Sequence, residues 1–513
     1  MKYIGIIVFV IVANLTFSQS YFNERFNFQY PWEFDGSVNA IEISDGYIVN
    51  GATGDSLASF WHRLAIAKVD FEGNLLWTKT WGDTISRYFF ADRGSLISSN
   101  NAYYSTGSKK TNFNNDISYS ESFLTKYNSS FDTLWTSYFS KVNAPYDTVY
   151  ICRNFIDTDD GFIFTGTFQR DEYQTIGTFL IKTDTLGNKI WERIFTDSTH
   201  YIHGVSIIQT SDGGYAIGNY RWVLGPYGVS IGDPYIIKTD NLGNVEWELN
   251  VGGPYQDGSA ILCNSPSGKI ICASRIDVDS IYYDIYKSRV QLLEISNNGI
   301  IVAQNQYCDP LIHRTVTNIK STQTNGYIVS GKTNETDFET EPFTMGYLLR
   351  VDSSYDSIWY RQYGICMGAD SHNTLYDVLP TSDGGFLGAG YCLPVLPDTG
   401  TQDVWIIKVD SMGCTTPWDC WVNTEEIEND NNHSEVSVYP NPTKSVLNID
   451  FQLVIGIKNV TIELFSINGK PIMRLNNLKH NNKIDVSELN SGIYIYIITS
   501  NKYVKTGKIL VSK

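Results

Sequence analysis

The stretch IKTDTLGNKIW at residues 181–191 decides the fold, because nearly the same phrase returns at residues 237–247 as IKTDNLGNVEW. An apolar run ends in Lys-x-Asp, a Gly-Asn turn follows, and a Trp lies nine residues after the Lys. Seven copies are aligned by the residue at the Lys position: Lys68, Lys126, Lys182, Lys238, Glu294, Arg350 and Lys408. Their spacings are 58, 56, 56, 56, 56 and 58 residues. One structural unit of about 56 residues is therefore copied along the chain.

A second phrase precedes each copy. It is a polar turn followed by an apolar run ending in Gly, as at residues 45–51 (DGYIVNG) and 212–218 (DGGYAIG). Each period thus contains about four strand-sized runs joined by Gly, Asp and Asn turns, which is the content of one propeller blade. Closing such blades into a ring removes exposed sheet edges. The predicted fold class is all-β: a seven-bladed β-propeller of four-stranded blades over residues 20–422, followed by a small C-terminal β-sandwich.

The seventh period has three clear strands, the last at 404–409, so the ring needs another strand. Residues 22–32 resemble an outer strand, and we predict that the N-terminus completes the last blade. The alternatives are an outer strand from 418–422 or an open solenoid. The recurring Trp residues are predicted to pack between blades, where large aromatic area contributes most. They are Trp77, Trp135, Trp191, Trp247 and Trp359.

These phrases resemble the propeller repeats common in exported proteins of the Bacteroidetes. The resemblance covers roughly residues 36–418 and implies an architecture, with no particular reaction attached. The fifth copy departs most from the pattern, with Glu294 at the Lys position and Ala303 at the Trp position.

The first nineteen residues have the form of a signal peptide. Lys2 precedes a continuous apolar run, Ile4–Val12, and cleavage is expected next to Gln19. That run is much shorter than the roughly 20 residues a membrane anchor needs. No cysteine follows it, which argues against a lipid-anchored N-terminus. No later segment is apolar enough to cross a bilayer, so we predict a mature chain without a transmembrane segment.

The C-terminal 78 residues form a separate compact β pattern behind an acidic linker at 423–435. The positions that characterise this tail are Tyr439, Pro440, Asn441, Pro442, Gly469, Lys470, Gly492 and Tyr494. With these positions, residues 436–513 resemble the type A sorting domain of the type IX secretion system, a β-sandwich tail.

That resemblance implies the type IX machinery and its sortase-like peptidase as partners. It also implies tail removal, often with attachment to lipopolysaccharide. The implied destination is the medium or the outer-membrane surface of a Gram-negative bacterium, reached through the periplasm. An appended adhesion sandwich is the alternative interpretation.

Charge and cysteine content limit the kinds of partner, disulfide and metal site that the chain can have. The net charge is −17; the tail carries +6 and residues 1–19 carry +1, which leaves −24 for residues 20–435. Such an acidic body argues against nucleic acid as a partner. Eight cysteines permit 105 complete pairings. Local spacing suggests two possible disulfides, Cys263 with Cys272 and Cys414 with Cys420, and no paired C-x-x-C spacing supports a zinc site.

Three motifs resemble sites of chemistry, but none of them predicts a catalytic residue, cofactor or metal. Residues 228–232 match G-x-S-x-G, but that elbow requires a strand-to-helix turn. His200 and His203 lack a third ligand nearby. Residues 157–161 (DTDDG) lack the ligand spacing of a calcium loop.

Function is therefore expected in loops that break the repeat, since loops on a rigid scaffold often carry binding residues. The candidate loops are 171–173, 220–227, 279–286 and 337–343. The first hypothesis is a non-catalytic module that binds an unknown glycan or protein. The alternative is a carbohydrate-active enzyme with carboxylates in the propeller funnel, and a third possibility is a structural surface-layer component.

Overall fold

The protein is described by a computed structural model covering residues 20–28, 35–54, 62–83, 86–91, 94–113, 117–140, 148–170, 175–224, 230–278, 287–308, 312–335, 343–366, 371–395, 400–416, 436–440, 442–451, 461–466, 471–476, 481–499 and 504–513. The chain divides into two compact units, Met1–Pro417 and Trp418–Lys513. The predicted signal peptide and acidic linker lie outside the described residues.

Every regular element of these residues is a β-strand, which confirms the predicted all-β class. The strands of the first unit are β1 (Phe22–Phe26), β2 (Gly36–Ile43), β3 (Gly46–Gly54), β4 (His62–Val69), β5 (Leu75–Trp81), β6 (Ser86–Phe90), β7 (Leu96–Ser99), β8 (Ala102–Phe113), β9 (Ile117–Tyr127), β10 (Thr133–Phe139), β11 (Thr148–Thr158), β12 (Gly161–Arg170), β13 (Thr175–Asp184), β14 (Lys189–Phe195), β15 (Tyr201–Gln209), β16 (Tyr215–Leu224), β17 (Ser230–Thr239), β18 (Val245–Asn250), β19 (Ile261–Asn264), β20 (Ile270–Asp277), β21 (Ser288–Ile295), β22 (Ile301–Tyr307), β23 (His313–Ser321), β24 (Tyr327–Glu335), β25 (Phe343–Val351), β26 (Ser357–Tyr363), β27 (His372–Pro380), β28 (Phe386–Leu393) and β29 (Asp403–Val409).

The strands pair in antiparallel sets that follow chain order, as four-stranded blades require. We call these sets modules: module 1 is β2–β5, module 2 is β6–β10 with its first strand in two pieces, module 3 is β11–β14, module 4 is β15–β18, module 5 is β19–β22, module 6 is β23–β26 and module 7 is β27–β29. A single parallel residue pair links module 2 to module 3, and another links module 6 to module 7.

Module 7 receives its outer strand from the N-terminus. β1 pairs antiparallel with β29, from Phe22 opposite Lys408 to Phe26 opposite Val404. The prediction that the N-terminal strand completes the last set is confirmed by this pairing. The alternative strand at 418–422 lies outside the described residues.

The Lys-x-Asp-x-x-Gly-Asn phrase builds the turn between the third and fourth strands of a module. Oδ1 of Asp184 accepts hydrogen bonds from the backbone N–H groups of Leu186 (2.9 Å) and Asn188 (2.8 Å). Gly187 adopts φ +80°, which is costly for residues with a Cβ. Asp240 makes the same bonds to Leu242 and Asn244. The phrase is therefore a side-chain-stabilised turn.

The repeated Lys joins this phrase to the preceding Asp-Gly turn of the same module. Four such ion pairs have N···O distances of 2.5 to 3.0 Å: Lys68–Asp45, Lys182–Asp160, Lys238–Asp212 and Lys408–Asp383. In module 5 the charges are exchanged, because Lys269 lies in the turn and pairs with Glu294 on the strand. The departure of the fifth copy thus preserves the ion pair.

The repeated Trp packs against the turn glycine of the following module. A Cβ at Gly187 would lie 2.6 Å from the Trp135 ring, and one at Gly243 would lie 3.0 Å from the Trp191 ring. The same contact joins Gly299 to Trp247 and Gly413 to Trp359. The predicted packing of the Trp residues between blades is confirmed at these positions, where each Trp packs against the next module.

The second unit contains two antiparallel sheets. Its strands are β30 (Val436–Tyr439), β31 (Val446–Phe451), β32 (Thr461–Ser466), β33 (Pro471–Asn476), β34 (Asn481–Asp485), β35 (Gly492–Thr499) and β36 (Val504–Val511). The sheet orders are β30-β31-β34 and β33-β32-β35-β36. Leu447 and Ile449 of the first sheet share one apolar core with Leu464 and Ile498 of the second. Two sheets around one core is the arrangement expected of a β-sandwich.

Candidate functional site

The predicted loops are described only in part. Residues 171–173, 225–227, 279–286 and 337–342 lie outside the described residues, whereas 220–224 form the end of β16. The candidate site is therefore built from strand ends and connections of modules 4, 5 and 6.

An aromatic surface lies at the end of β16. Trp222 is partly buried, its ring centroid 4.6 Å from that of Tyr201 and 6.0 Å from that of His203, with which it is nearly parallel at 12°. On β17 the residue opposite Trp222 is Gly232. A Cβ at Gly232 would lie 2.5 Å from the Tyr220 ring and 2.6 Å from Cβ of Trp222, so glycine is needed for these two aromatic side chains to pack there.

Asp257 connects this surface to module 5. Its backbone N–H donates to the carbonyl of Gly232 at 2.8 Å. Its carboxylate accepts from the N–H of Gly253 and from the N–H of Asp277, the latter at 2.7 Å. Burial raises the pKa of the Asp257 carboxyl, and the two backbone hydrogen bonds oppose that rise. Asp257 therefore holds the module 4 connection against the end of β20.

Asp277, the last residue of β20, is 2% exposed. Its Oδ1 lies 3.0 Å from Nε of Arg275. Within the described part of the chain neither of its carboxylate oxygens accepts a hydrogen bond. Burial raises the pKa of Asp277 to about 6, with the charge of Asp257 adding to the rise and Arg275 opposing it. This carboxyl gains and loses its proton in a range where ordinary aspartates stay ionised.

The Arg275 guanidinium spans two modules. Nη2 donates to the carbonyls of Gln256 (3.2 Å) and Asp257 (3.0 Å), and Nη1 lies 3.0 Å from Nε2 of His313 at the start of β23. Burial, followed by the charge of Arg275, lowers the pKa of His313 to about 4. His313 is therefore neutral near pH 7, and its Nε2 accepts from Arg275.

We call this arrangement the 4–5 site. It comprises Tyr201, His203, Tyr220, Trp222, Gly232, Asp257, Arg275, Asp277 and His313. An aromatic face lies beside Asp257 and Arg275, whose side chains are oriented by hydrogen bonds with the backbone, and such a combination is found in many small-molecule sites. This composition suits a ligand that has both apolar and hydroxyl-bearing faces.

Sequence reasoning selected Tyr220 and Trp222 as part of a loop but missed Asp257, Arg275, Asp277 and His313. Comparison of the repeats could have identified Arg275 and Asp277. The strand pairing places Arg275 and Asp277 where module 4 has Tyr220 and Trp222. Two charged residues thus replace two aromatic ones, a departure from the repeat.

The three motifs that resemble sites of chemistry have local structural roles. Ser230 of the G-x-S-x-G match is the first residue of β17, so no strand-to-helix elbow forms there. His200 Nδ1 lies 3.0 Å from Arg221 Nη2, and His203 Nδ1 lies 3.3 Å from Thr167 Oγ1. Asp160 pairs with Lys182. Within the described ranges, no group of three or more His, Cys, Asp or Glu side chains is placed to hold a metal ion.

The predicted pairing of Cys263 with Cys272 is wrong. Both are buried thiols, and the register sets Cys263 opposite Ile271 and Cys272 opposite Leu262. Because side chains alternate along a strand, the two sulfurs lie on opposite faces and belong to different apolar clusters. Cys414 is disulfide-bonded, and Cys420 lies outside the described residues. The pairing of Cys414 with Cys420 stays a prediction.

The sorting-domain positions fall in the second unit. Tyr439 ends β30 and is 49% exposed, and its carbonyl accepts from Asn448 Nδ2 at 3.1 Å. Gly492 begins β35, and the Tyr494 hydroxyl donates to the carbonyl of Asn490 at 3.0 Å. Pro442 lies between β30 and β31. Asn441, Gly469 and Lys470 lie outside the described residues.

Residues 437–512 match the family described as the secretion system C-terminal sorting domain. This match confirms the predicted type IX sorting tail, which indicates export to the cell surface or secretion from a Gram-negative bacterium. It also implies handling by the type IX machinery. Among the described residues no helix is long and apolar enough to cross a membrane.

A search of curated proteins gives no match. Several solved structures are similar at low identity. A protein of unknown function from Dyadobacter fermentans is 8% identical, with a TM-score of 0.40 over 75% of this chain and 99% of its own. The Trypanosoma rangeli sialidase is 10% identical, with a TM-score of 0.38 over 96% and 89%. Sucrose-6-phosphate hydrolase from Lactobacillus gasseri is 10% identical, with a TM-score of 0.34 over 78% and 94%. Such distant similarity assigns no activity to this chain.

Proposed function

We propose that the protein is an exported seven-bladed β-propeller that binds a glycan at the 4–5 site. The closed ring is supported by the pairing of β1 with β29 and by contacts that continue from each module to the next. At the closing interface a Cβ at Gly73 of module 1 would lie 2.6 Å from the Phe22 ring. Phe22 thus occupies, beside module 1, the place that Trp has beside modules 3, 4, 5 and 7.

The proposed processing follows from the sorting tail. Residues 1–19 are a signal peptide cleaved next to Gln19, 20–422 form the propeller, 423–435 are a linker and 436–513 form the sorting sandwich. A sortase-like peptidase removes the tail and attaches the propeller to surface lipopolysaccharide. A Bacteroidetes source and a disulfide between Cys414 and Cys420 complete this proposal.

The packing of Trp222 with Tyr201 and His203 carries the glycan assignment. A sugar ring has an apolar face of C–H groups that can lie on an aromatic face, and hydroxyls that need fixed hydrogen-bonding partners. The N–H of Asp257 donates to the carbonyl of Gly232 at 2.8 Å, and the Asp257 carboxylate accepts from the N–H groups of Gly253 and Asp277. The aromatic surface and an oriented carboxylate therefore lie at the same strand ends.

The exported protein, recovered from the cell surface or the medium, should be screened against immobilised glycans, followed by titration of the best one. We expect Trp222→Ala to weaken glycan binding at least tenfold, since a stacked aromatic supplies much of the contact area. Phe89→Ala is the matched control, because Phe89 also packs against a histidine, with ring centroids 5.4 Å apart at His62. Equal binding by both variants, or binding only to proteins, would overturn the assignment.

One observation favours a glycoside hydrolase as a second candidate. Such enzymes use a carboxyl group of raised pKa as the general acid beside a second carboxylate, and Asp277 with a pKa of about 6 lies beside Asp257. Against it, the Asp257 carboxylate already accepts two backbone hydrogen bonds. Turnover of the bound glycan that Asp277→Asn or Asp257→Asn abolishes would establish the hydrolase and replace the binding proposal.

A further inference from the structure

A second pair of cysteines, for which the sequence suggested no pairing, consists of Cys366 in the connection after β26 and Cys392 on β28 of module 7. Cys392 on β28 is opposite Asn373 on β27. Asn373 holds the backbone of Cys366 with two hydrogen bonds: Oδ1 accepts from the Cys366 N–H at 3.0 Å, and Nδ2 donates to the Cys366 carbonyl at 2.8 Å. The residue facing Cys392 thus fixes Cys366 beside it.

The two side chains share one environment. Both cysteines are fully buried and belong to the same apolar cluster. A hydrogen bond with Cys366, followed by burial, raises the pKa of the Cys392 thiol well above its ordinary value. The two thiols therefore interact within one apolar cluster, in contrast to Cys263 and Cys272, which belong to different clusters.

A cation lies beside this pair. Nη1 of Arg25 on β1 is 3.5 Å from Sγ of Cys366. The same guanidinium lies 3.8 Å from Asp403, which is opposite Cys392 on β29. A positive charge next to a sulfur favours the thiolate, which is the form that attacks a disulfide.

We propose that Cys366 and Cys392 form a disulfide during export, made by a protein disulfide oxidant of the periplasm. The Cys366 thiolate attacks one sulfur of the oxidant's disulfide and forms a mixed disulfide, releasing the other sulfur as a thiol. As module 7 folds, Cys392 loses its proton and attacks Cys366 Sγ, which expels the second sulfur of the oxidant. Two electrons and two protons pass from the cysteines to the oxidant, which leaves as a dithiol.

This bond would close the segment from 366 to 392 covalently. It joins the connection after β26 to the middle of module 7, beside β1, whose pairing supplies the outer strand of that module. The cross-link restricts the unfolded chain and so stabilises the folded one. It would therefore protect the module at which the N-terminal and C-terminal parts of the propeller meet.

The test uses the exported protein recovered from the cell surface or the medium, denatured without reductant, alkylated and digested for mass spectrometry. We expect one linked peptide pair containing Cys366 and Cys392, with Cys263 and Cys272 alkylated in the same sample. Alkylation of both Cys366 and Cys392 in most molecules would overturn the proposal.

Thermal unfolding provides an independent measurement. Reductant should lower the Tm of the native protein by about 5 °C more than that of Cys392→Ala, which has already lost the bond. Cys272→Ala is the matched control, since it removes an equally buried thiol and should keep the full response to reductant. An equal response in all three proteins contradicts the cross-link, and the peptide result remains decisive if Cys392→Ala is not exported.

Discussion

Asp377 of β27 accepts a hydrogen bond from Asn39 Nδ2 of β2 at 2.5 Å, which connects the last module of the first unit to the first. The same Oδ2 accepts from the N–H of Ala40 at 3.1 Å. Oδ1 accepts from Asn318 Nδ2 of module 6 at 2.6 Å. One carboxylate, 1% exposed, therefore joins three modules through their first strands.

We expect Asp377→Ala to lower the free energy of unfolding by about 3 kcal/mol, because it leaves three buried donors without their acceptor. Urea denaturation of the full chain measures the change. Asp45→Ala is the control, since the Asp45 side chain is 65% exposed and its ion pair with Lys68 should contribute about 1 kcal/mol or less. Similar losses in the two variants would contradict the role of Asp377.

The interface between modules 5 and 6 is packed without the Trp–Gly contact found beside modules 3, 4, 5 and 7. Where other copies have Trp on the fourth strand, module 5 has Ala303, directly opposite Glu294. Where the turns of modules 1, 3, 4, 5 and 7 have Gly, module 6 has Tyr355 at φ +66°, and its hydroxyl donates to Glu294. The large side chain has thus moved from one module to its neighbour.

We therefore expect Tyr355→Gly alone to cost about 3 kcal/mol of stability, since it empties this space. Adding Ala303→Trp should recover at least half of that loss by restoring the arrangement seen at Trp247 and Gly299. Denaturant unfolding of the two single variants and the double variant gives the coupling energy. Additive losses would show that Tyr355 and Ala303 do not share one space.

Much of the fold could be predicted because the repeated residues act locally. The Asp184 turn and the Lys182–Asp160 pair each form within one module, so their spacing appears directly in the sequence. The all-β class and four-stranded sets follow from that spacing. The sorting tail was recognisable because its motif lies in one continuous segment.

The site could not be predicted in the same way. Asp257, Arg275 and His313 come from three separate stretches and meet only when modules 4, 5 and 6 pack together. The cysteine pairing failed for a related reason. Cys263 and Cys272 are close in sequence, but strand alternation directs them to opposite faces, whereas Cys366 and Cys392 meet through Asn373.

Export should depend on the second unit. We expect deletion of residues 436–513 to leave the protein folded in the periplasm, because the matched sorting domain is then missing. Immunoblots of periplasm, surface and medium measure this. Fusion of residues 423–513 to a periplasmic carrier tests sufficiency, and normal secretion of the truncated chain would refute the assignment.

Two groups of the 4–5 site should make the stability of the fold depend on pH. Asp277 and His313 have opposite effects: as the pH rises, the contribution of Asp277 is lost and that of His313 is gained. Asp277 has a folded pKa of about 6, above its unfolded value, so its contribution is complete below about pH 4 and is lost as the pH rises through 6. His313 has a folded pKa of about 4, below its unfolded value. Its contribution is complete above about pH 6.5 and is lost as the pH falls toward 4.

We expect Asp277→Asn to match the native protein near pH 3.5 and to exceed its stability by about 2 kcal/mol at pH 8, because no buried carboxylate has to ionise. His313→Gln is the matched control at the same site. Its stability relative to the native protein should rise as the pH falls from 6.5 to 4, since no unfolded-state imidazole then takes up a proton. Denaturant unfolding from pH 3.5 to 8 gives both difference curves. Since each curve cancels the titration of all other groups, a flat curve for Asp277→Asn would mean that the carboxyl ionises as readily in the folded chain as in the unfolded one.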